Sequence, residues 1–369
     1  MMKTRNPMKT VKSSSNSTDS PEPSPNSAQE QKLSFTYKHG LHEYLQNRVL
    51  GQSAATDIVA DAVERAMFGY HRPGAPIANF MFLGSTGVGK TETAVGVAEF
   101  LWGGNHEDHF IRLDMAEYQH PDSNLVLLGR NRDEQGYLGE EIDRVNANGG
   151  GILLFDELEK AHMSVIKILL ALLDVGRVTM TNGVTKSVDN FIVVMTSNLG
   201  TSELSEMRNT SQKGIMDMLQ NVGQDKLSPE FFARIDNYLV FDMLSPEVQK
   251  KICGLLLNSE VKFLKKKLFE KDGIERKFIV HDEAKALILE NGYTPKLGAR
   301  PLKKAVQREL GYAYAAHLKR YVGREPIAGD LILERTSSNK IELFYADNKE
   351  ANESIKSARY APTVTMIRA

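Results

Sequence analysis

The amino-acid sequence predicts an α/β fold in which a mostly parallel sheet lies between helices and is followed by a smaller, mainly helical domain. Three features of the first 242 residues indicate the sheet: a phosphate-binding loop pattern, five apolar runs of strand length, and helical periodicity between several of these runs. Alternating strands and helices are typical of a parallel sheet covered on both faces. After residue 242 the pattern changes to long amphipathic segments, which indicate the second domain.

The phosphate-binding pattern G-x-x-x-x-G-K-[ST] is matched at every fixed position by Gly84-Ser85-Thr86-Gly87-Val88-Gly89-Lys90-Thr91. Residues 77–83 before it have the length and apolar character of a buried strand, and residues 93–101 after it have a helical pattern. The backbone N–H groups of such a loop, together with the N-terminus of its helix, bind phosphate groups. We therefore expect an ATP site in which Lys90 reaches the β- and γ-phosphates and the Thr91 hydroxyl holds Mg²⁺.

Composition restricts the class of protein. The apolar fraction of 41% and the charged fraction of 25% are those of a soluble globular chain. The net charge of −1 gives no global electrostatic argument for a nucleic-acid or membrane partner. Cys253 is the only cysteine, which excludes an intramolecular disulfide framework. No run of 18 apolar residues and no signal-peptide core is present, so we expect a cytoplasmic protein without membrane insertion.

The chain divides into four predicted parts. Residues 1–34 hold eight serines and four prolines, and they contain too few apolar residues to offset the entropy of ordering, so we expect a disordered tail. Residues 35–242 form the nucleotide-binding domain, residues 243–346 form the small domain, and residues 347–369 form a second tail.

The elements follow in order. In the first domain we predict a helix over 53–68, strands over 110–113, 151–155, 191–195 and 238–241, a helix over 164–173, and a hairpin around Asn182-Gly183. In the second we predict helices over 246–269, 283–291 and 301–318 and strands over 277–280, 331–333 and 341–344. Ser245-Pro246 marks the first of these helices, because proline suits the first helical position.

Polar side chains follow two of the predicted strands. Asp156 and Glu157 come directly after the strand over 151–155, and Asn198 follows the strand over 191–195. In a parallel sheet the ligand lies beyond the carboxyl ends of the strands. We therefore expect Asp156 to hold Mg²⁺, Glu157 to orient the attacking water, and Asn198 to reach the γ-phosphate. An acidic helix start and a turn asparagine are the alternatives.

Several longer motifs match one family. They are Val49-Leu50-Gly51-Gln52, Phe155-Asp156-Glu157-Leu158-Glu159-Lys160-Ala161-His162, Met195-Thr196-Ser197-Asn198-Leu199-Gly200, Pro229-Glu230-Phe231-Phe232-Ala233-Arg234-Ile235-Asp236 and Gly298-Ala299-Arg300-Pro301-Leu302. On these motifs, the chain from residue 49 to about residue 341 resembles the second ATPase module of the ClpA/ClpB-type AAA+ unfoldases. The resemblance implies an AAA+ P-loop domain followed by a small lid domain.

The same resemblance implies a homo-hexameric, Mg²⁺-dependent ATPase that hydrolyses ATP to ADP and phosphate and remodels protein clients. It implies that Asn198 is the first sensor, that Arg234 is the arginine finger acting on a neighbouring subunit's nucleotide, and that Arg300 is the second sensor. It also implies that Val49 and Leu50 line the adenine pocket. A guanidinium group is permanently charged and suits phosphate oxygens, which agrees with both arginine roles.

The loop that grips polypeptide in this family departs from the family pattern. The family has Gly-aromatic-Val-Gly there, whereas this chain has Gly129-Arg130-Asn131-Arg132. Gly136-Tyr137-Leu138-Gly139 supplies an aromatic residue, although it matches the segment after that loop better. We expect residues 129–134 to face the channel of a ring and to bind clients through charge-assisted hydrogen bonds.

Other features bear on partners. Residues 199–228 contain no apolar-Gly-apolar tripeptide, so we expect no peptidase partner, and we expect neither a second ATPase module nor a coiled-coil insertion.

One alternative function is a nucleotide-controlled assembly or switch ATPase, which the altered loop favours. Another is a DNA-loading ATPase, which the near-neutral charge opposes. We interpret His106-Glu107-Asp108-His109 as structural or solvated, because no cysteine or second ligand cluster lies nearby in the sequence.

Overall fold

The computed structural model describes residues 40–206, 211–222, 227–294, 297–320 and 327–346, and the predicted tails lie outside these residues. The helices are α1 (Leu41–Arg48), α2 (Ser53–Met67), α3 (Lys90–Trp102), α4 (Ser123–Leu128), α5 (Tyr137–Ala147), α6 (Met163–Val175), α7 (Thr201–Glu206), α8 (Gln212–Val222), α9 (Pro229–Phe232), α10 (Pro246–Asp272), α11 (Asp282–Gly292) and α12 (Arg300–Arg320). The strands are β1 (Ala78–Leu83), β2 (Phe110–Asp114), β3 (Gly151–Asp156), β4 (Arg177–Thr179), β5 (Thr185–Ser187), β6 (Phe191–Ser197), β7 (Asn237–Val240), β8 (Phe278–Val280), β9 (Leu331–Arg335) and β10 (Ile341–Tyr345).

Five strands form one parallel sheet in the order β2-β3-β6-β1-β7. All residues of β1, β3 and β6 are buried, which explains why the sequence shows nearly continuous apolar runs there. Successive side chains lie on opposite faces of the sheet. Phe80 and Phe82 join the hydrophobic cluster that includes α2 and α3, whereas Met81 and Leu83 join the cluster that includes α5 and α6. The predicted α/β fold class is confirmed.

Local sequence patterns predicted most of the helices and strands but not all of them. The five predicted strands of this sheet begin and end within two residues of those observed, and β4 and β5 form the predicted hairpin around Asn182-Gly183. The helix α5 was not predicted, although Leu138, Ile142 and Val145 give it a buried stripe at helical spacing. The helix α8 was also not predicted.

The second part of the chain has its own hydrophobic cluster, formed by α10, α11, α12 and a small sheet. The helix α10 begins where predicted: Pro246 is its first residue, and the Ser245 hydroxyl accepts a hydrogen bond from the Val248 N–H at 3.4 Å. The strands β8, β9 and β10 were all predicted; β9 and β10 pair antiparallel, and β8 joins β9 in parallel. None of the helices in the described parts of the chain combines the length and hydropathy needed to cross a membrane.

Residues 297–299, just before α12, lie directly against the phosphate loop. The Ala299 N–H donates a hydrogen bond to the Gly87 carbonyl at 3.1 Å. A methyl group on Gly298 would lie 2.5 Å from the Thr86 carbonyl oxygen, and the Gly298 φ of 58° also disfavours other residues. The backbones of the two domains therefore meet here without intervening side chains.

We expect Gly298→Ala to destabilise the protein by roughly 1–3 kcal/mol, because the added methyl group must push the phosphate loop and residues 297–299 apart. The matched control is Gly311→Ala: Gly311 lies inside α12 with no atom near an added methyl group, so alanine should stabilise the protein by about 0.5–1 kcal/mol. Urea unfolding midpoints measure both effects. A Gly298→Ala midpoint equal to that of the wild type would contradict the tight packing.

Candidate functional site

The phosphate loop connects β1 to α3, and the carboxyl ends of β1, β3 and β6 meet beside it. Lys90, the first residue of α3, is buried, and its ammonium group donates to the carbonyl oxygens of Gly84 at 2.5 Å and Ser85 at 2.9 Å. It also donates to Asn198 Oδ1 at 2.9 Å. The structure therefore brings together the predicted phosphate-binding lysine and the predicted sensor asparagine.

Burial lowers the pKa of the Lys90 ammonium to about 8, because the charged form loses hydration. Three carboxylates, those of Glu159, Asp156 and Glu157, oppose this shift. The pKa stays well below the ordinary value for lysine, so Lys90 is mostly charged at pH 7 and loses its charge as the pH rises through about 8.

Asp156 is the last residue of β3, and its two carboxylate oxygens have different partners. Oδ1 accepts a hydrogen bond from the Thr196 hydroxyl at 2.5 Å. Oδ2 accepts from Arg112 Nη2 at 2.6 Å and lies 3.4 Å from the Thr91 hydroxyl. A carboxylate and a hydroxyl are the oxygen donors that Mg²⁺ prefers, so Thr91 and Asp156 fit the predicted metal site. Arg112 and Thr196 were not predicted as site residues.

Glu157 adopts a left-handed backbone conformation with a φ of 58°, which is rare for a residue other than glycine. Its N–H donates to the Thr196 hydroxyl at 3.0 Å, which helps to hold this turn after β3. Backbone strain of this kind costs of order 1–3 kcal/mol and is concentrated at functional sites. The Glu157 side chain lines the same cleft as Lys90 and Asp156.

Glu159 is a buried carboxylate that sequence reasoning did not select. It accepts hydrogen bonds from the Ser197 hydroxyl at 2.8 Å and from Asn198 Nδ2 at 3.0 Å. Asn198 therefore bridges Lys90 and Glu159, which fixes the orientation of its amide. The available signal was the run of three acids, Asp156, Glu157 and Glu159, at the end of β3 and in the turn after it.

These residues line a cleft of about 750 Å³. Its polar end contains the phosphate loop, Asp156, Glu157 and Asn198, and Arg300 from the start of α12 also lines it. Val49 and Leu50 line the cleft as well, with Ile252 and Leu256 from α10. The structure thus brings residues 86–91 of the phosphate loop, Val49 and Leu50 between α1 and α2, and Arg300 of α12 around one cleft. Gly84 and Ser85, at the start of the predicted loop, do not line it.

Arg234 does not line the cleft of its own chain. Its guanidinium lies 2.9 Å from the Glu230 carboxylate and 3.5 Å from the Asp174 carboxylate, and it donates to the Glu230 carbonyl at 3.0 Å. Arg234 therefore stands apart from the other predicted catalytic residues.

The loop between α4 and α5 is closed at its base. A methyl group on Gly129 would lie 2.2 Å from the Glu134 carbonyl oxygen, so the two ends of the loop touch. The Thr181 hydroxyl donates to the Gly129 carbonyl at 2.7 Å, and Glu134 accepts from the Arg130 N–H at 3.1 Å. Tyr137 lies outside the loop, as the first residue of α5, and is 44% exposed.

His106 and His109 bond to backbone oxygens, Nδ1 of His106 to Gly103 at 3.0 Å and Nδ1 of His109 to Gly150 at 2.8 Å. Across the residues that the structure describes, no group of three or more His, Cys, Asp or Glu side chains is arranged to hold a metal ion.

Comparison with known proteins identifies relatives of both domains. The model of the AAA domain (Cdc48 subfamily) matches residues 75–238, and the model of the C-terminal, D2-small domain of ClpB protein matches residues 244–320. The chaperone protein ClpB of Enterococcus faecalis is 39% identical over 315 residues, which is 84% of this chain and 34% of that protein.

Two further relatives have similar identities. The mitochondrial chaperone protein ClpB4 of Arabidopsis thaliana is 36% identical over 318 residues, 84% of this chain and 31% of that protein. The ATP-binding subunit ClpC of the ATP-dependent Clp protease of Staphylococcus aureus is 38% identical over 285 residues, 73% of this chain and 33% of that protein. The chain thus spans about a third of the length of these relatives.

We expect ATP affinity to fall about tenfold between pH 7 and pH 9, because the Lys90 charge is lost as pH rises through its pKa of about 8. Phosphate groups favour the charged lysine, so binding at pH 9 should take up a proton. Calorimetry in buffers of different ionisation enthalpy measures both quantities. In Lys90→Arg, whose side chain stays charged, affinity should be independent of pH. A flat profile in the wild type would exclude Lys90 as the titrating group.

Proposed function

Because residues 75–320 belong to the AAA+ family and resemble the second ATPase module of ClpB-type chaperones, we propose that the protein hydrolyses ATP to ADP and phosphate and remodels protein clients. We propose further that it does so as a homo-hexameric ring. The observation that carries the proposal is the meeting of two sets of contacts beside the carboxyl ends of β1, β3 and β6. Lys90 donates a hydrogen bond to Asn198, and the Asp156 carboxylate contacts the Thr196 and Thr91 hydroxyls.

Each side chain has a role that its environment supports. The phosphate-loop N–H groups and the Lys90 ammonium bind the β- and γ-phosphates. Thr91 and Asp156 would hold Mg²⁺, which would neutralise phosphate charge when bound. The Glu157 carboxylate orients the attacking water and accepts its proton, a contribution worth ~10²–10⁴ in rate.

The remaining roles concern sensing and assembly. Asn198, held between Lys90 and Glu159, contacts the γ-phosphate, and Arg300 contacts the nucleotide from the second domain. Val49 and Leu50 pack against adenine. Arg234 acts on the nucleotide of a neighbouring subunit, which agrees with its position away from its own cleft.

We expect Lys90→Ala and Glu157→Gln to separate binding from hydrolysis. Lys90→Ala removes a charge that contacts phosphate before the reaction, so nucleotide affinity should fall. Glu157→Gln keeps the shape but loses the base, so it should bind ATP normally and reduce turnover at least ~10²-fold. Equilibrium binding and steady-state ATPase assays measure the two effects.

The control for these variants is Lys167→Ala, an exposed lysine on α6, which should change neither quantity. Equal nucleotide affinity in Lys90→Ala and the wild type would contradict the assignment of the phosphate site.

A second candidate function is a nucleotide-controlled switch that threads no polypeptide. The observation that favours it is the closed loop over residues 129–134, which presents charged side chains where the family presents an aromatic one. An arginine binds polypeptide through charge-assisted hydrogen bonds, which need suitable acceptor groups on the client. The loop is therefore less suited than an aromatic residue to gripping any polypeptide that passes.

If the loop binds clients, Arg130→Ala should spare basal ATPase turnover and abolish its stimulation by a client, and added salt should weaken that stimulation in the wild type. Tyr137→Ala tests the competing aromatic residue, and Arg177→Ala, at an exposed position of β4, is the control. An unfolded casein and a natively folded co-purifying protein serve as clients in the ATPase assay. Full stimulation in both Arg130→Ala and Tyr137→Ala would favour the switch.

A further inference from the structure

Arg112 is a charged residue inside β2, an edge strand of the parallel sheet. Its neighbour β3 runs in register with it, so that Asp114 lies opposite Asp156 and Arg112 lies opposite Leu154. The Arg112 side chain reaches along this edge to Asp156, and the ion pair is short, with Nη2 2.6 Å from Oδ2. Charge-assisted hydrogen bonds of this length are among the stronger ones in proteins.

The oxygen that Arg112 contacts is the one that faces the metal-binding hydroxyl. Asp156 Oδ1 is engaged by the Thr196 hydroxyl, whereas Oδ2 lies 3.4 Å from the Thr91 hydroxyl. The Asp156 carboxylate thus has one oxygen that holds it to β6 and one that is available to a cation. Arg112 and a divalent ion compete for that second oxygen.

The two partners of this ion pair differ in burial. The Asp156 side chain is 11% exposed, whereas the Arg112 side chain is 51% exposed. Arg112 can therefore leave Asp156 without carrying its charge through an apolar region. A divalent ion on Oδ2 would repel the positively charged guanidinium and favour its movement away from Asp156.

A second cavity offers the guanidinium a place to move to. This cavity, of about 490 Å³, is lined by Arg112, Asp114, Glu117 and Tyr137 among others, and Arg112 and Asp114 also line the nucleotide cleft. Arg112 and Asp114 are two residues apart on one strand and so share a face. The cavity therefore presents two carboxylates to an arginine released from Asp156.

We propose that Arg112 is a positioning residue that occupies Asp156 Oδ2 in competition with Mg²⁺ and moves toward Asp114 and Glu117 when the metal–nucleotide complex binds. This inference rests on the proposed ATPase function. Because Arg112 competes with Mg²⁺, it raises the Mg²⁺ concentration that is needed for tight nucleotide binding. It also connects the metal site to the cavity wall that contains Tyr137, at the start of α5.

The test is the Mg²⁺ dependence of nucleotide binding, measured by the anisotropy of a fluorescent ATP analogue at constant ionic strength. In Arg112→Gln the Mg²⁺ concentration at half-maximal binding should fall about two- to fivefold, the range that corresponds to a partly exposed ion pair. Arg112→Lys keeps a positive charge and should give a smaller shift. Arg144→Gln is the matched control, since Arg144 forms a 2.6 Å ion pair with Glu141 but lines neither cavity.

Each other outcome overturns the proposal. An unchanged Mg²⁺ midpoint would make the Arg112–Asp156 pair an ordinary ion pair, and a raised midpoint would mean that Arg112 supports the metal site. Loss of binding at every Mg²⁺ concentration, with an unchanged melting temperature, would mean that Arg112 contacts the nucleotide itself. These results differ from failure of the proposed function, in which the wild type and Arg144→Gln would also bind no ATP.

Discussion

The buried ammonium group of Lys90 is the charge around which the site is built. A buried charge without partners is costly, so the surrounding chain has to supply acceptors and compensating charge. The phosphate loop supplies two carbonyl oxygens, β6 supplies Asn198 at its end, and the turn after β3 supplies nearby carboxylates. A parallel sheet meets this requirement because the carboxyl ends of its strands reach the same edge. The order β3-β6-β1 makes these three contributors direct neighbours.

Sequence patterns were sufficient where the physical cause is local. The phosphate loop, the buried strands and the Asn182-Gly183 hairpin are determined by residues close together in the chain, and each was predicted. Arg112 was not predicted as a site residue, because in the sequence it is a single charged residue within an apolar strand, and its partner Asp156 is 44 residues away. Only the strand order and the register of β2 against β3 bring them together. Glu159 was missed for a similar reason: its partners are Ser197, the last residue of β6, and Asn198, which follows it, and they are 38 and 39 residues away.

The contact between the phosphate loop and residues 297–299 gives the small domain a direct mechanical connection to the nucleotide site. The hydrogen bond from Ala299 to Gly87 and the absence of space around Gly298 mean that a shift of either backbone disturbs the other. Interfaces packed this closely respond to a ligand as discrete arrangements, since they cannot deform continuously. A change in the phosphate loop would therefore be transmitted to α12, which begins with Arg300. The coupling runs through this direct backbone contact and does not require a path of other residues between the two sites.

In its own chain Arg234 is paired with Glu230 and Asp174. To act on a neighbour's nucleotide in the proposed ring, it must leave these carboxylates, and the free-energy cost of doing so has to be smaller than the gain. Both carboxylates are more than half exposed, and ion pairs in such surroundings contribute only about 0.2–1 kcal/mol each. An arginine finger supplied to a neighbour accelerates hydrolysis by ~10³–10⁵, which corresponds to ~4–7 kcal/mol of transition-state stabilisation. Releasing Arg234 from its own carboxylates therefore costs less than the proposed contact gains. The Arg234 side chain itself is only 23% exposed, whereas its carboxylate partners are exposed, so an exchange of partners takes place at its exposed end. The proposed action between subunits requires such an exchange.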